Sequence, residues 1–131
     1  AAVEVEGGTD PLDVLADADM VRQVIVNLLI NALHAVEGVP GGKVVLSARL
    51  LDGLASCSIR DNGPGVPADR AEAIFRPFVT TKPRGTGLGL ATSRRLVELQ
   101  GGRLWLENPG EPGARFTFTL PIFTGGADAG A

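Results

Sequence analysis

Apolar residues recur along the chain with two different periods, and these periods predict its secondary structure. A helical period runs from a capping Asp17 to about residue 37, after a short apolar run at 12–16. A second helical period covers 88–100, and 68–73 suits a short helix. Strand patterns occur in five segments: 3–6, 43–51, 54–60, 103–107 and 114–120.

The order of these elements predicts the fold class. Asp52-Gly53 favours a hairpin between the second and third strands, and a turn rich in proline and glycine separates the last two. Consecutive strands of this kind form a mostly antiparallel sheet, and the helices then cover one of its faces. We predict an α+β domain over residues 1–123, followed by a flexible Gly/Ala-rich tail at 124–131.

Size and charge narrow the function classes. The chain has 131 residues, 44% of them hydrophobic and 21% charged, which is typical of one compact domain. A net charge of −3 argues against nucleic acid or an anionic membrane as a partner. The single cysteine, Cys57, excludes an internal disulfide, and we expect it to be buried and reduced in the cytoplasm.

Two further features concern the chain as a whole. Its longest apolar run is interrupted by Asn27 and Asn31, so no stretch reaches the ~20 residues that span a bilayer. The chain begins without methionine, and we expect it to be a piece of a longer protein, which could itself be membrane-anchored.

The first long helix carries an unusual polar stripe. Gln23, Asn27, Asn31 and His34 fall within about 80° of one another, opposite the apolar face. A solvated face is the simple alternative, but asparagine is a poor helix former, and Val26 and Ile30 flank the stripe. We therefore expect the amides to be buried and to have partners, because an unpaired buried amide costs ~1–3 kcal/mol.

An amide oxygen is a neutral, hard ligand of the kind that Mg²⁺ accepts together with water and phosphate oxygens. Asn31 is therefore a chemically sensible metal ligand, with Asn27 supporting it one helical turn earlier.

Two glycine-rich turns complete the candidate site. Neither 61–65 (DNGPG) nor 85–90 (GTGLGL) is a P-loop or a dinucleotide-binding fingerprint. The second turn opens a helix, where free backbone N–H groups attract phosphate. Asp61 has two possible roles: it either forms the first turn or accepts a hydrogen bond from the exocyclic amine of adenine. Guanine would present an oxygen in place of that amine, so the second role would select adenine.

Four segments together resemble a known family. RQVIVNLLINALHAV (22–36) resembles an N box, RDNGPGVP (60–67) a first glycine box, IFRPFVTTK (74–82) an F box and GTGLGLA (85–91) a second glycine box. In this order they look like the ATP-binding domain of bacterial sensor histidine kinases, which shares a superfamily with DNA gyrase, the heat-shock chaperone ATPase and the mismatch-repair ATPase. The resemblance covers residues 12–121.

The resemblance implies a Bergerat-type two-layer α/β sandwich with three helices on one face. It implies that Asn31 binds Mg²⁺ beside Asn27, that Asp61 reads adenine, and that residues 80–86 form a lid in which Arg84 is a further candidate near phosphate. The implied ATP-binding set is Asn27, Asn31, His34, Asp61, Gly63, Gly65, Val66, Phe75, Thr81, Lys82, Thr86, Gly87, Leu88 and Gly89.

The implied activity is transfer of the γ-phosphoryl group of Mg-ATP to a histidine on a separate dimerising helical hairpin, and onward to a response regulator. His34 is not that acceptor, because it lies within the nucleotide-site helix. Hydrolysing relatives carry glutamate at the position of Asn27, and an amide cannot take a proton from water.

Several alternatives stay open. A serine kinase of the anti-sigma-factor type would share this pocket, and so would a nucleotide-binding interaction module without transfer activity. A gyrase-like ATPase is disfavoured by Asn27. Phe75 and Phe78 either dock against the hairpin or pack in the core.

Overall fold

The computed structural model describes residues 2–6, 18–51, 53–76 and 89–121, which include one five-stranded sheet. The strands are β1 (Ala2–Glu6), β2 (Lys43–Leu51), β3 (Leu54–Asp61), β4 (Arg103–Leu106) and β5 (Arg115–Pro121). Their spatial order is β1-β2-β3-β5-β4. β1 runs parallel to β2, and the other neighbouring pairs are antiparallel. The predicted mixed, mostly antiparallel sheet is confirmed.

The two faces of the sheet differ in character, because side chains alternate along each strand. Ile59 of β3 lies between Leu46 and Phe116, and these residues belong to the apolar core. The adjacent row, which points to the opposite face, holds Ser47, Ser58 and Thr117. One face therefore packs against the helices, as an α+β two-layer domain requires.

In the part of the chain that the structure describes, two α-helices cover the apolar face: α1 (Ala18–Ala35) and α2 (Gly89–Leu99). The predicted apolar stripe of α1 enters the core, where Val21, Val24 and Leu28 are almost completely buried. Val97 of α2 is also fully buried. Burial of side chains of this size stabilises the fold by roughly 1.5–3 kcal/mol each, so the core sets the position of α1.

The segment expected to form one short helix at 68–73 does not do so. It forms two 3₁₀ turns, Ala68–Arg70 and Ala73–Phe75. Their hydrogen bonds span three residues, for example from Phe75 N to Glu72 O at 3.1 Å. The second turn delivers Phe75 into the core, and a continuous α-helix over 68–73 would end before that residue.

Several other expectations meet a clear outcome. The hairpin between β2 and β3 is confirmed, with Leu51 opposite Leu54 and Gly53 at φ 81°. Cys57 is buried, as expected. Within the described ranges, none of the helices combines the length and apolar character that crossing a bilayer demands. The run at 12–16, the Asp17 cap, the lid at 80–86 and the tail at 124–131 lie outside the described residues.

Candidate nucleotide site

The polar stripe of α1 lies at the border between core and solvent. Asn27, Asn31 and His34 are half-buried, whereas Gln23 is exposed. We expected apolar neighbours to bury the amides. They bury them only in part, because Val26 and Ile30 are themselves 45% and 47% exposed. The stripe therefore has one side in the protein and one side that a ligand can reach.

Asn27 has a specific partner on the other helix. Its Nδ2 donates to Oγ of Ser93 in α2 at 3.2 Å, and Ser93 is completely buried. The expectation of a partnered amide is therefore confirmed for Asn27. Sequence reasoning missed Ser93, although a serine between Leu90 and Val97 on the helical period of 88–100 was a visible signal.

The carboxylate of Asp61 occupies a fixed place at the end of β3. The residue is 5% exposed, and its Oδ1 accepts hydrogen bonds from Gly63 N at 2.9 Å and Ala114 N at 3.2 Å. The backbone of Asp61 also donates to Ala114 O at 2.9 Å. Charge-assisted bonds of this kind hold a buried carboxylate in one orientation.

Asn62 holds the glycine turn from the opposite side, a role that the sequence did not reveal. Its Oδ1 accepts from Lys43 N at 2.8 Å, and its Nδ2 donates to Gly41 O at 3.0 Å. The side chain thus links the 61–65 turn to the loop that precedes β2. An Asx residue in a turn often bonds to nearby backbone, but these partners are about twenty positions away.

Gly63 and Gly65 allow close backbone packing. A Cβ at Gly63 would lie 2.5 Å from Ala35 O at the end of α1, and one at Gly65 would overlap Glu111 O. Gly65 also has φ 84°, which L side chains rarely adopt. Two hydrogen bonds join this turn to the loop before β5: Gly113 N to Gly63 O and Gly110 N to Val66 O, both 2.8 Å.

These contacts bring the two halves of the site together. Ala35 touches Gly63, and Asn31 lies one turn earlier on α1, which corresponds to about 6 Å along the helix axis. Asp61 lies on the helix-covered face of the sheet, in register with the core residue Val44. The amide stripe and the buried carboxylate therefore lie in one region of the domain.

Phe75 belongs to the core. It is 6% exposed, and its ring contacts Phe116 edge-to-face with centroids 6.0 Å apart. The guanidinium of Arg94 lies over the Phe75 ring, 4.6 Å from the ring centroid. The burial of Phe75 agrees with the core-packing alternative, and its assignment to the ATP-binding set stays a prediction.

Of the second glycine turn at 85–90, the structure describes only Gly89 and Leu90. Gly89 is the first residue of α2, so the turn does lead into a helix as predicted. Phe78, Arg84 and five members of the implied ATP-binding set lie outside the described residues: Thr81, Lys82, Thr86, Gly87 and Leu88.

The donor set is compatible with Mg²⁺ but not with a closed protein cage. In the described ranges, no three His, Cys, Asp or Glu side chains converge to hold a metal ion. Half-buried amides at Asn27 and Asn31 supply neutral oxygen donors beside solvent. Mg²⁺ takes few protein ligands and completes its shell with water and phosphate oxygens, so these residues fit the group.

Comparison with known families identifies the class of protein. Residues 16–124 match the family of histidine kinase-, DNA gyrase B- and HSP90-like ATPases. The chain belongs to this family, and the ATP-binding resemblance is confirmed.

The individual relatives are sensor kinases. The sensor histidine kinase ZraS of Klebsiella oxytoca is 43% identical over 107 residues, covering 82% of the chain and 23% of the relative. The chain spans about a quarter of the length of the curated relatives it matches.

Solved structures agree with this placement. The catalytic domain of histidine kinase ThkA matches with a TM-score of 0.79 and 36% identity, over 92% of the chain and 78% of that domain. ShkA, solved at full length with AMPPNP, matches with 0.78 and 35%, over 93% and 26%. ThkA in complex with response regulator protein TrrA matches with 0.76 and 32%, over 92% and 34%.

Proposed function

We propose that this chain binds Mg-ATP and transfers its γ-phosphoryl group to a histidine on a separate helical domain of a longer sensor kinase. One observation carries the proposal: the half-buried Asn27 and Asn31 stripe meets the buried Asp61 turn through the contact between Ala35 and Gly63. This arrangement places the carboxylate of Asp61, which would bind the adenine ring, in the same region as the amides of Asn27 and Asn31. Those amides would bind the metal ion and the phosphates.

Asp61 is the residue that selects adenine. Two backbone N–H groups hold its carboxylate at the end of β3, so the group does not need to reorganise when the base arrives. The exocyclic amine of adenine donates to this carboxylate. Guanine would place a carbonyl oxygen there, so two hydrogen-bond acceptors would face each other. The buried carboxylate would then lack a donor from the base, which costs free energy.

Asn31 is the proposed Mg²⁺ ligand, with Asn27 beside it and His34 one turn further along the same stripe. When bound, Mg²⁺ neutralises charge on the phosphate oxygens of ATP. The protein contributes the fixed amide oxygens and the start of α2 at Gly89, where backbone N–H groups and the helix dipole favour phosphate. Thr86, Gly87 and Leu88 lead into Gly89 and form the proposed phosphate loop, whereas Thr81 and Lys82 belong to the proposed lid at 80–86 and would lie near phosphate.

The residue at position 27 favours transfer over hydrolysis. An amide is not a base at neutral pH, so Asn27 cannot activate water for attack on the γ-phosphorus. Its Nδ2 is moreover engaged by Ser93. The acceptor is therefore a group brought by another domain: a histidine on a dimerising helical hairpin, from which the phosphoryl group passes to a response regulator.

The partner proposal rests on two supports. ThkA, which has the same domain fold, was solved with a response regulator. The chain itself spans only about a quarter of its curated relatives, which leaves room in a parent protein for an acceptor domain. Both ATP as substrate and the buried, unpaired Cys57 agree with a cytoplasmic location.

The test is a transfer assay. The chain is mixed with the helical hairpin of its parent kinase, Mg²⁺ and γ-labelled ATP, and the labelled hairpin is tested for acid lability. We expect acid-labile phosphate with the natural chain and none with Asn31→Ala. Gln23→Ala, on the exposed part of the same helix face, is the matched control and should transfer normally.

Three results would contradict the proposal. Acid-stable phosphate on a serine would favour the anti-sigma-factor type of kinase. Tight ATP binding without transfer would favour an interaction module. Transfer by Asn31→Ala at the natural rate would remove Asn31 as the metal ligand.

A further inference from the structure

We propose that Ser93 is a positioning residue for this site: its buried hydroxyl orients the carboxamide of Asn27 and links that amide to the helix that follows the phosphate loop. This inference rests on the proposed function, because it concerns how the same site holds Mg-ATP. The observation behind it is a hydrogen bond between the two helices, from Asn27 Nδ2 to Ser93 Oγ at 3.2 Å.

The surroundings of this bond give it strength. Ser93 is 0% exposed, and Val97, one turn further along α2, is also 0% exposed. On α1, Val24 and Leu28 next to Asn27 are buried in the same core. Water has little access to the hydroxyl, so a polar partner for it is worth more than on the surface, and losing that partner costs more.

The bond holds one end of the Asn27 carboxamide against α2. A carboxamide carries its oxygen and nitrogen on opposite sides of the same carbon. Because Nδ2 of Asn27 points to Ser93, Oδ1 points away from that hydroxyl. An oxygen is the end that can accept from water or bind a cation, whereas an outward NH₂ group could do neither. In this structure Ser93 holds the carboxamide of Asn27 through Nδ2, which leaves Oδ1 as the end directed away from α2.

The bond also connects two parts of the site. Ser93 lies one helical turn after Gly89, where α2 begins, and the predicted phosphate loop ends just before Gly89. Asn27 lies one turn before Asn31, the proposed metal ligand, on α1. A shift of α2 relative to α1 would therefore alter the direction of the Asn27 oxygen. The hydroxyl thus relates the position of the first turns of α2 to the position of the amide pair.

A positioning role differs from a purely structural one in how mutations combine. If Ser93 acts through Asn27, replacing Ser93 has no further effect on Mg-nucleotide affinity once Asn27 is alanine. If Ser93 only helps the two helices pack, the two changes lower affinity independently and their effects multiply.

The experiment is isothermal titration calorimetry of this chain with the non-hydrolysable analogue AMPPNP, with Mg²⁺ and with EDTA. We compare the natural chain, Ser93→Ala, Asn27→Ala and the double variant. We expect Ser93→Ala to weaken Mg-AMPPNP binding by about three- to tenfold, as loss of one buried hydrogen bond predicts. The loss should be smaller in EDTA and absent in the Asn27→Ala background.

Two further variants serve as controls for the role of the Ser93 hydroxyl. Ser58→Ala removes the same oxygen from a buried serine on the opposite face of the sheet and should leave the Mg²⁺ dependence unchanged. Ser93→Cys keeps the size of the side chain but is a weaker hydrogen-bonding partner, so its affinity should fall between those of the natural chain and Ser93→Ala. Thermal melting confirms that each variant is folded.

The outcomes separate this inference from the proposed function. If the natural chain fails to bind Mg-AMPPNP, the proposed function is wrong. If the natural chain binds, and folded Ser93→Ala or Ser93→Cys binds equally well, the positioning role is overturned. Multiplicative losses in the double variant would overturn it as well.

Discussion

The Cα of Gly63 faces the backbone carbonyl of Ala35 so closely that a Cβ would lie 2.5 Å from that oxygen. This contact joins the turn after β3 to the last turn of α1. It brings the polar stripe of α1 to the turn that carries Asp61, although Gly63 and Ala35 belong to separate elements of the chain. The geometry of the candidate site therefore depends on the absence of a side chain at position 63.

Replacing Gly63 by alanine should damage both stability and nucleotide binding. The added methyl group must push α1 away from the turn, and such overpacking costs roughly 1–3 kcal/mol of unfolding free energy. Denaturant unfolding measures the stability loss, and calorimetry with ATP measures the binding loss. Gly89→Ala is the control for stability, because a Cβ there meets no atom within 4 Å. Equal stability of Gly63→Ala and the natural chain would contradict this packing account.

Asp61→Asn should weaken ATP binding while largely preserving the fold. The amide oxygen of asparagine can still accept from Gly63 N and Ala114 N, so the turn keeps its backbone contacts. The charge that receives the adenine amine is lost, and we expect affinity to fall by about tenfold, in line with ~1–3 kcal/mol for a buried hydrogen bond. Calorimetry measures this. Asp69→Asn, at an exposed position, is the matched control, and unchanged affinity in Asp61→Asn would exclude Asp61 from the base pocket.

Cys57 should make stability fall in alkaline solution. Burial raises the pKa of its thiol from 9.0 to about 12, so the folded chain retains the proton. The unfolded thiol loses it above pH 9, so this contribution to stability is complete below about pH 9 and disappears as pH rises toward 12. Denaturant unfolding at a series of pH values measures the loss. The chain has no tyrosine, which keeps this range free of competing phenols.

Cys57→Ala is the control for that pH series, since it should lose less stability between the same pH limits. The native thiol should also resist a disulfide reagent at about pH 8, because the thiolate is the reactive form. Labelling of folded protein as fast as labelling in denaturant would refute the burial argument.

Arg94→Met should lower stability by about 1 kcal/mol, because Arg94 stacks on Phe75. Its ion pairs with Glu72 at 3.4 Å and Glu98 at 3.5 Å involve exposed carboxylates and add little. Thermal or denaturant unfolding tests this. Arg95→Met, at the adjacent exposed position, is the control, and an equal effect of both changes would show that the stacking contributes nothing.

Much of the fold could be predicted from local patterns. The period of three to four residues in α1 identified the buried face that contains Val24 and Leu28, because a helix packs only one side against a sheet. The hairpin at Gly53 and the start of α2 at Gly89 were visible in the same way, since glycine marks turns and helix ends. Asp61 could be singled out because it stands where a strand pattern meets a glycine turn.

Partners that lie far apart in sequence were decided by the tertiary structure alone. Asn27 and Ser93 are 66 positions apart, and Asp61 and Ala114 are 53 apart. No local period relates such pairs, because their contact arises only when α1, α2 and the sheet pack around one core. The same packing decided that Phe75 contacts Phe116 in the interior. The sequence by itself therefore determined the elements and the chemical types of the site residues, whereas packing determined which atoms those residues contact.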